Sequence, residues 1–401
     1  MTIRGQNQYL LQKLYKETNG NHIHKKVAFM KVPAAKICFP KEDREVLLKQ
    51  IDGILESGQL TLGKYTKEFE EKFASTIGTK YAVAVNSGTS SIEIPMRIFD
   101  VSGKEVIVPT NTFAATAFGV VHAGGKVKFA DVDPNTHAIS LETVKKQITK
   151  KTKAVVSVHI GGNIAPDTEE LKEFCEKKGI IFFEDAAHAH GSKLNGKHAG
   201  TFGLAGSFSF YPTKVMTSAE GGMIVTNDKI IYDRAMVFRD QGKSGFTANL
   251  HTEMGYNWRL SEVHAAIGVS QLKRLESFIA DRRRVAKIYD EGLKNVPHIT
   301  SLKIPSNSHT NYYKYIAILD KGLDRKAIKQ KLREQYEVSL SGEVYELPLH
   351  LQPIFMKMGY KQGDFPVAED VCARQVCLPL FPTMTDEMGN FVIDSLKKVL
   401  A

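Results

Sequence analysis

The chain has 401 residues, 42% of them hydrophobic and 24% charged, with a formal net charge of +10. That is enough apolar material for one large domain and a smaller one, and too much for a disordered chain. No run of about 18 apolar residues occurs, which excludes an apolar membrane-spanning helix; the four cysteines form no CxxC pair, which speaks against zinc or a redox couple and for a reducing, cytoplasmic setting.

Residues 1–34 are polar and basic, without the apolar core of a secretory signal, and read as an N-terminal extension. From Asp43 to Gly58 the positions Val46, Leu47, Ile51, Ile54 and Leu55 recur with helical spacing, and Gly58 supplies a stop. A second helix, TKEFEEKFAST, leads into the apolar run YAVAVN (81–86). Strands and helices then alternate: KEVIVP (104–109) a buried strand, TFAATAFGVVHAGG a helix, KVKFADVD a strand, SLETVKKQITKKT a helix, AVVSVHI a strand, DTEELKEFCEKKG a helix and IIFFED (180–185) a strand. Near-continuous Val, Ile and Phe in these strands, with helices between them, predicts an α/β fold: a mainly parallel sheet covered by helices on both faces. The pattern from 229 to 292 is helical, with one long segment from Ser261 to Leu293. After Pro305 a strand (YYKYIAILD), a helix (DRKAIKQKLREQ) and a last helix from Asp386 predict a smaller α+β domain. We therefore divide the chain into the extension 1–34, a large domain 35–260, and a linking helix with a small C-terminal domain 261–401.

Four features stand at expected carboxyl ends of strands, where open α/β sheets bind ligands. Asn86-Ser87-Gly88-Thr89-Ser90 opens a helix, whose first N–H groups suit a phosphate; the same residues also make an ordinary helix cap. Asp185, in EDAAH after IIFF, can hold a pyridine nitrogen in its cationic form or simply cap the next turn, and His188 follows three residues on. SFSFYPTK places Lys214 after a strand and a proline turn, and Glu220-Gly221-Gly222 feeds the next strand through a tight passage. A desolvated lysine has a lowered pKa and can bond a carbonyl carbon. Phe113, after VIVP, can stack on a ring or belong to the core.

Together NSGTSS, VIVPTNTFAATA, FADVDPNTHAIS, FFEDAAHAHGSKLNGKHAGTFG, SFSFYPTK, EGGMIVTND, GYNWRLSEVHAAIGVSQL, LPLHLQP and CLPLFPTMTDE resemble the DegT/DnrJ/EryC1/StrS family of sugar aminotransferases. The resemblance implies the fold-type I architecture, pyridoxal 5′-phosphate as cofactor, and a homodimer with active sites at the subunit interface. By position Lys214 matches the Schiff-base lysine, Asp185 the partner of the pyridine nitrogen, His188 the residue beside the ring oxygen and Phe113 the stacking aromatic. Gly88, Thr89, Ser90 and Ser209 match the phosphate-binding residues. Asn257 and Arg259 match a segment lent by the neighbouring subunit, while His350, with Glu220, falls on the substrate side. The implied reaction moves an amino group from glutamate or glutamine to a ketosugar, a nucleotide-linked one above all, and the net positive charge suits such an anionic ligand, although scattered lysines also make a solvated surface. Clustered base-stacking residues are absent, so nucleic acid is not expected as a partner, nor is a membrane.

Three positions depart from the family pattern. His188 stands where Gln is usual, His159-Ile160-Gly161-Gly162 lacks a substrate-side tyrosine, and Gln241 replaces a frequent histidine. These leave open a cyclitol ketone or a sugar without a nucleotide as acceptor. Lys214 argues against the dehydratase branch, and an intact lysine–aspartate pair argues against a non-catalytic regulator.

Overall fold

A computed structural model describes residues 30–245, 249–342 and 344–401. Its strands are β1 (Tyr81–Val85), β2 (Glu105–Pro109), β3 (Lys126–Ala130), β4 (Thr152–Val158), β5 (Ile181–Asp185), the short β6 (Lys193–Leu194) and β7 (Lys197–His198), β8 (Ala205–Ser209) and β9 (Gly222–Thr226). Seven of these form one sheet in the order β1-β9-β8-β5-β4-β2-β3. Only β9 runs against the rest, antiparallel to both β1 and β8. The predicted fold class is therefore the one observed. Alternation along the strands explains their apolar sequences. Ala82, Ala84, Val155 and Phe182 pack on one face with Phe69 and Phe73. Val83, Val85, Val156 and Phe183 pack on the other with Ile92, Met96 and Phe99. Both faces are dry, so no strand of the sheet needs a polar side.

A second sheet, β10 (Ile299–Ser301), β12 (Tyr315–Leu319) and β13 (Gln375–Leu378), is antiparallel, while β11 (Ser308–His309) pairs with β6. The helices Leu275–Gly292, Arg325–Tyr336 and Asp386–Leu400 cover it through Tyr289, Leu332 and Leu396. Val32 is completely buried in this core and pairs in parallel with Val338, so the end of the expected extension is a piece of the C-terminal core. Residues 1–29 lie outside the described residues. Among the described residues no helix is long and apolar enough to cross a membrane.

Several boundaries differ from the sequence reading. The helix expected over SLETVKKQITKKT shrinks to Leu141–Lys145. The segment from Ser261 is two helices, Glu262–Leu272 and Leu275–Gly292, broken where Arg274 turns to bond Asp43 and Glu42 of the first helix, Lys41–Ser57. Between 240 and 260 the chain doubles back, with bridges between Asp240 and Asn257 and between Lys243 and His251, instead of continuing the helix Lys229–Arg239. In the first helix Leu47 and Ile54 are buried on Ala266, whereas Val46 and Leu55 are exposed.

Candidate active site

Because β1, β2, β5 and β8 run the same way, their carboxyl ends share one edge of the sheet. The loops there enclose a cavity of about 480 Å³, a volume ordinary for a small-molecule site. Gly88 and Thr89 line it at the start of the helix Gly88–Ile98, in the first turn, where amides have no intrahelical carbonyl to bond. A β-carbon at Gly88 would stand 2.7 Å from Cβ of Ser209, so only glycine lets this turn lie against the end of β8. Ser91 Oγ meets Ser207 Oγ at 2.6 Å and ties the same helix to that strand.

Asp185 ends β5 in the cavity wall and is buried. Thr116 Oγ1 donates to one carboxylate oxygen at 2.7 Å and the Ala187 amide to the other at 3.1 Å. Burial raises its pKa above the usual carboxylate range, and these bonds together with the charge of Lys214 oppose that rise only in part. A cation placed beside it would restore its ionisation. Lys214 lies in the same wall, half-buried, its Nζ 5.0 Å from the centre of the Tyr313 ring. Desolvation brings its pKa down to about 8, with the Asp185 charge acting the other way.

His188 is buried and stacks on Tyr313 at 4.3 Å between ring centres. Its Nδ1 accepts from the Gly161 amide at 3.3 Å, and burial followed by the charges of Lys214 and Lys314 holds its pKa well below the usual histidine value. The ring is therefore neutral with its proton on Nε2, the atom 3.4 Å from Tyr345 Oη. Phe113 caps the helix Ala114–His122, stays 63% exposed in the cavity wall, and faces Tyr345 at 6.4 Å. Ser209 and Glu220 complete the set brought to the cavity.

Four expected residues are placed elsewhere. Ser90 is buried behind the turn, its hydroxyl given to Asn86 Oδ1 at 2.8 Å and to the Ser87 carbonyl, because it closes the capping box of the helix. His350 does not line the cavity: its ring nitrogens meet Thr110 Oγ1 at 2.7 Å and Glu369 Oε1 at 3.0 Å, with Phe365 against the ring, so it braces the C-terminal segment against β2. Asn257 and Arg259 also stand outside the cavity of their own chain. Arg259 pairs with Asp240, and the Asn257 carbonyl accepts from Asn86 Nδ2 at 3.5 Å. Between them Trp258 stacks on Tyr256 at 4.1 Å.

Sequence reasoning did not find Thr116, Tyr313, Lys314 or Tyr345. Thr116 carried a usable signal, one helical turn past Phe113. The other three come from the far part of the chain and have none.

A sequence profile of the DegT/DnrJ/EryC1/StrS aminotransferase family matches residues 41–397. The chain belongs to that family. Within it, GDP-perosamine synthase of Escherichia coli O157:H7 is 34% identical over 342 residues, 84% of this chain and 90% of the relative. Among solved structures, PseC of Helicobacter pylori, an aminotransferase involved in the biosynthesis of pseudoaminic acid, superposes with a TM-score of 0.86 at 29% identity, covering 92% of this chain and 99% of that one. DesV of S. venezuelae, solved with a ketimine intermediate, gives 0.86 at 28% identity over 92% and 98%. As a DegT/DnrJ/EryC1/StrS enzyme the chain is an aminotransferase, and its cofactor is pyridoxal 5′-phosphate. The cavity fits that group: a buried carboxylate whose pKa burial has raised, an amine with a pKa of about 8 and a glycine-opened helix start all line it.

Proposed function

We propose that the enzyme moves the amino group of glutamate or glutamine to a ketosugar, and that the acceptor is nucleotide-linked. The observation that carries this reading is Lys214 and Asp185 in a single cavity, electrostatically coupled and both displaced from their ordinary pKa values by burial. The names of two relatives carry nucleotide-linked sugars, GDP-perosamine synthase and dTDP-3-amino-3,4,6-trideoxy-alpha-D-glucose transaminase, which supports such an acceptor.

In this reading bound pyridoxal phosphate supplies an electron sink for the negative charge that develops on a substrate carbon as its proton leaves. Everything else falls to the chain. Lys214 Nζ holds the cofactor and, once free, takes a proton from the substrate carbon and returns it, a task for an amine whose pKa of about 8 lies close to working pH. Asp185, oriented by Thr116 and the Ala187 amide, keeps the pyridine nitrogen protonated by charge. His188 offers Nε2–H to the ring oxygen, and Phe113 flanks the ring. Gly88, Thr89 and Ser209 hold the phosphate, while Ser90 shapes their turn. Asn257 and Arg259, which do not line their own cavity, serve the site of a second subunit in a cytoplasmic homodimer; the absence of a CxxC pair suits that compartment. Glu220 stays on the substrate side, and the two sheets support the domain division at residue 260.

A cyclitol ketone is the second reading, favoured by His188 in place of Gln and by the glycine pair at 161–162. The test is to load the enzyme with amino donor, then offer nucleotide-linked 3-keto and 4-keto sugars, sugar phosphates and cyclitol ketones, and identify amine products by mass. A nucleotide-linked amino sugar is the expected product. Amines only from cyclitols would favour the second reading, and a deoxygenated sugar without nitrogen would overturn both.

A further inference from the structure

The turn where the family's usual tyrosine is missing has a consequence across the cavity. Gly161 and Gly162 both have positive φ, 65° and 97°. A β-carbon on Gly161 would stand 2.7 Å from the Ile316 side chain, and one on Gly162 only 2.0 Å from Asn311 Oδ1. Two glycines thus allow the stretch 311–316 to press against this turn. The contact is fixed by the Lys314 amide donating to the Gly161 carbonyl at 3.1 Å and by Thr310 Oγ1 donating to the Gly162 carbonyl at 3.1 Å. The result is that Tyr313 and Lys314 enter the cavity wall beside His188.

Lys314 differs from every other charged group there. Lys214 and Asp185 are committed to the cofactor in the reading above, and Glu220 carries the opposite sign. The Lys314 ammonium has no carboxylate within ion-pair distance among the described residues; it donates to the Gly342 carbonyl at 3.2 Å and stands 5.5 Å from the Tyr313 ring centre. An ammonium has three donors, and one carbonyl leaves two unspent. We propose that Lys314 anchors an anionic oxygen group of a substrate, a carboxylate or a phosphate, in the cavity that it lines. The inference rests on the aminotransferase reading only in taking this cavity as the place where substrates bind. The shared chemistry has two sources: the distal carboxylate of a glutamate donor, or the phosphate of a nucleotide-linked acceptor.

Two unreactive probes separate them. Glutarate carries the donor's two carboxylates without its amine, and inorganic pyrophosphate carries the acceptor's charge without its sugar. Each is titrated calorimetrically into the cofactor-loaded wild type and into Lys314→Met, Lys314→Gln and Lys314→Arg, with thermal melting and cofactor absorbance verifying that the variants are folded and loaded. Loss of a charge-assisted contact weakens binding by roughly tenfold or more in the Met and Gln variants, with Arg close to wild type. Weakening of glutarate alone assigns the anchor to the donor, weakening of pyrophosphate alone to the acceptor, and weakening of both to each in turn. Unchanged binding of both probes overturns the proposal. So does a loss in Lys314→Arg as large as in Lys314→Met, which would mark a purely structural tether to Gly342. A wild type that binds the probes through Lys314 but aminates no ketosugar leaves this inference standing and removes the proposed acceptor.

Discussion

A lysine beside an aspartate is worth little until both are taken out of water. In this cavity desolvation lowers Lys214, as a proton carrier near working pH needs, and raises Asp185, whose ionisation a cationic ring nitrogen beside it would restore. Lys214→Ala should lower turnover about 10⁴-fold with the fold intact by circular dichroism. Asp185→Asn should cost about 10²-fold or more while cofactor content by absorbance stays near wild type, because protonation of the ring nitrogen is lost and anchoring is not. The lysine also makes a pH prediction. Its pKa falls from 10.5 to about 8 on folding, so between these values the unfolded cofactor-free chain binds more protons than the folded one. Stability of the cofactor-free protein should therefore rise as pH climbs from about 8 towards 10.5, and Lys214→Met should lack that increment in urea titrations. The residues whose place in the cavity was legible in the sequence are those at or just after a strand end: Gly88, Phe113, Asp185, His188, Ser209 and Lys214. Ser90 was misread because a capping serine and a phosphate-binding serine look alike one position apart. Tyr313 and Lys314 were invisible because a close approach at Gly162 brings them in, and nothing near them in the chain marks it.

At the scale of elements, one helix start is built by a side chain from far along the chain. Glu262 is buried and accepts from the amides of Gly63 at 2.8 Å, Tyr65 at 2.7 Å and Thr66 at 2.9 Å, as well as from Thr66 Oγ1. It thus caps the helix Lys64–Ile77, which has no capping side chain of its own, from 199 residues beyond Gly63. Truncation to alanine would leave these donors unpaired in a dry place. Glu262→Ala should cost about 2–4 kcal/mol in urea unfolding, and Glu262→Gln, which keeps an acceptor, clearly less. This is also where local reading stops. Period and composition marked most helices and the strands of the large sheet, including those at SFSFY and after Gly222, since most of them are short apolar runs bounded by helices or turns. The break at Lys273–Arg274 left no trace, because it depends on Arg274 bonding Glu42 and Asp43 and on neither glycine nor proline. The pairing of Asp240 with Asn257 is likewise tertiary, and here Gly242, Gly245 and Gly255 were a signal against a continuous helix.

For the molecule as a whole, the segment holding Asn257 and Arg259 packs beside the helix start at Gly88 without lining its own cavity. If the sites are shared as proposed, Lys214→Ala and Arg259→Ala subunits refolded together should recover activity that neither shows alone. Random pairing makes half the molecules mixed, each with one intact site, hence about a quarter of wild-type turnover. No recovery above the average of the two pure variants, with mixed dimers present by sedimentation and mass analysis, would place Arg259 in its own subunit's site or in structure alone. The same segment holds the sole tryptophan of the chain, Trp258, stacked on Tyr256. Its indole is thus a fluorophore that nature has installed at a single address, next to the residues in question. Emission excited selectively at that ring, and its quenching when a pyridine chromophore is taken up, would follow assembly and loading in real time without any label being attached.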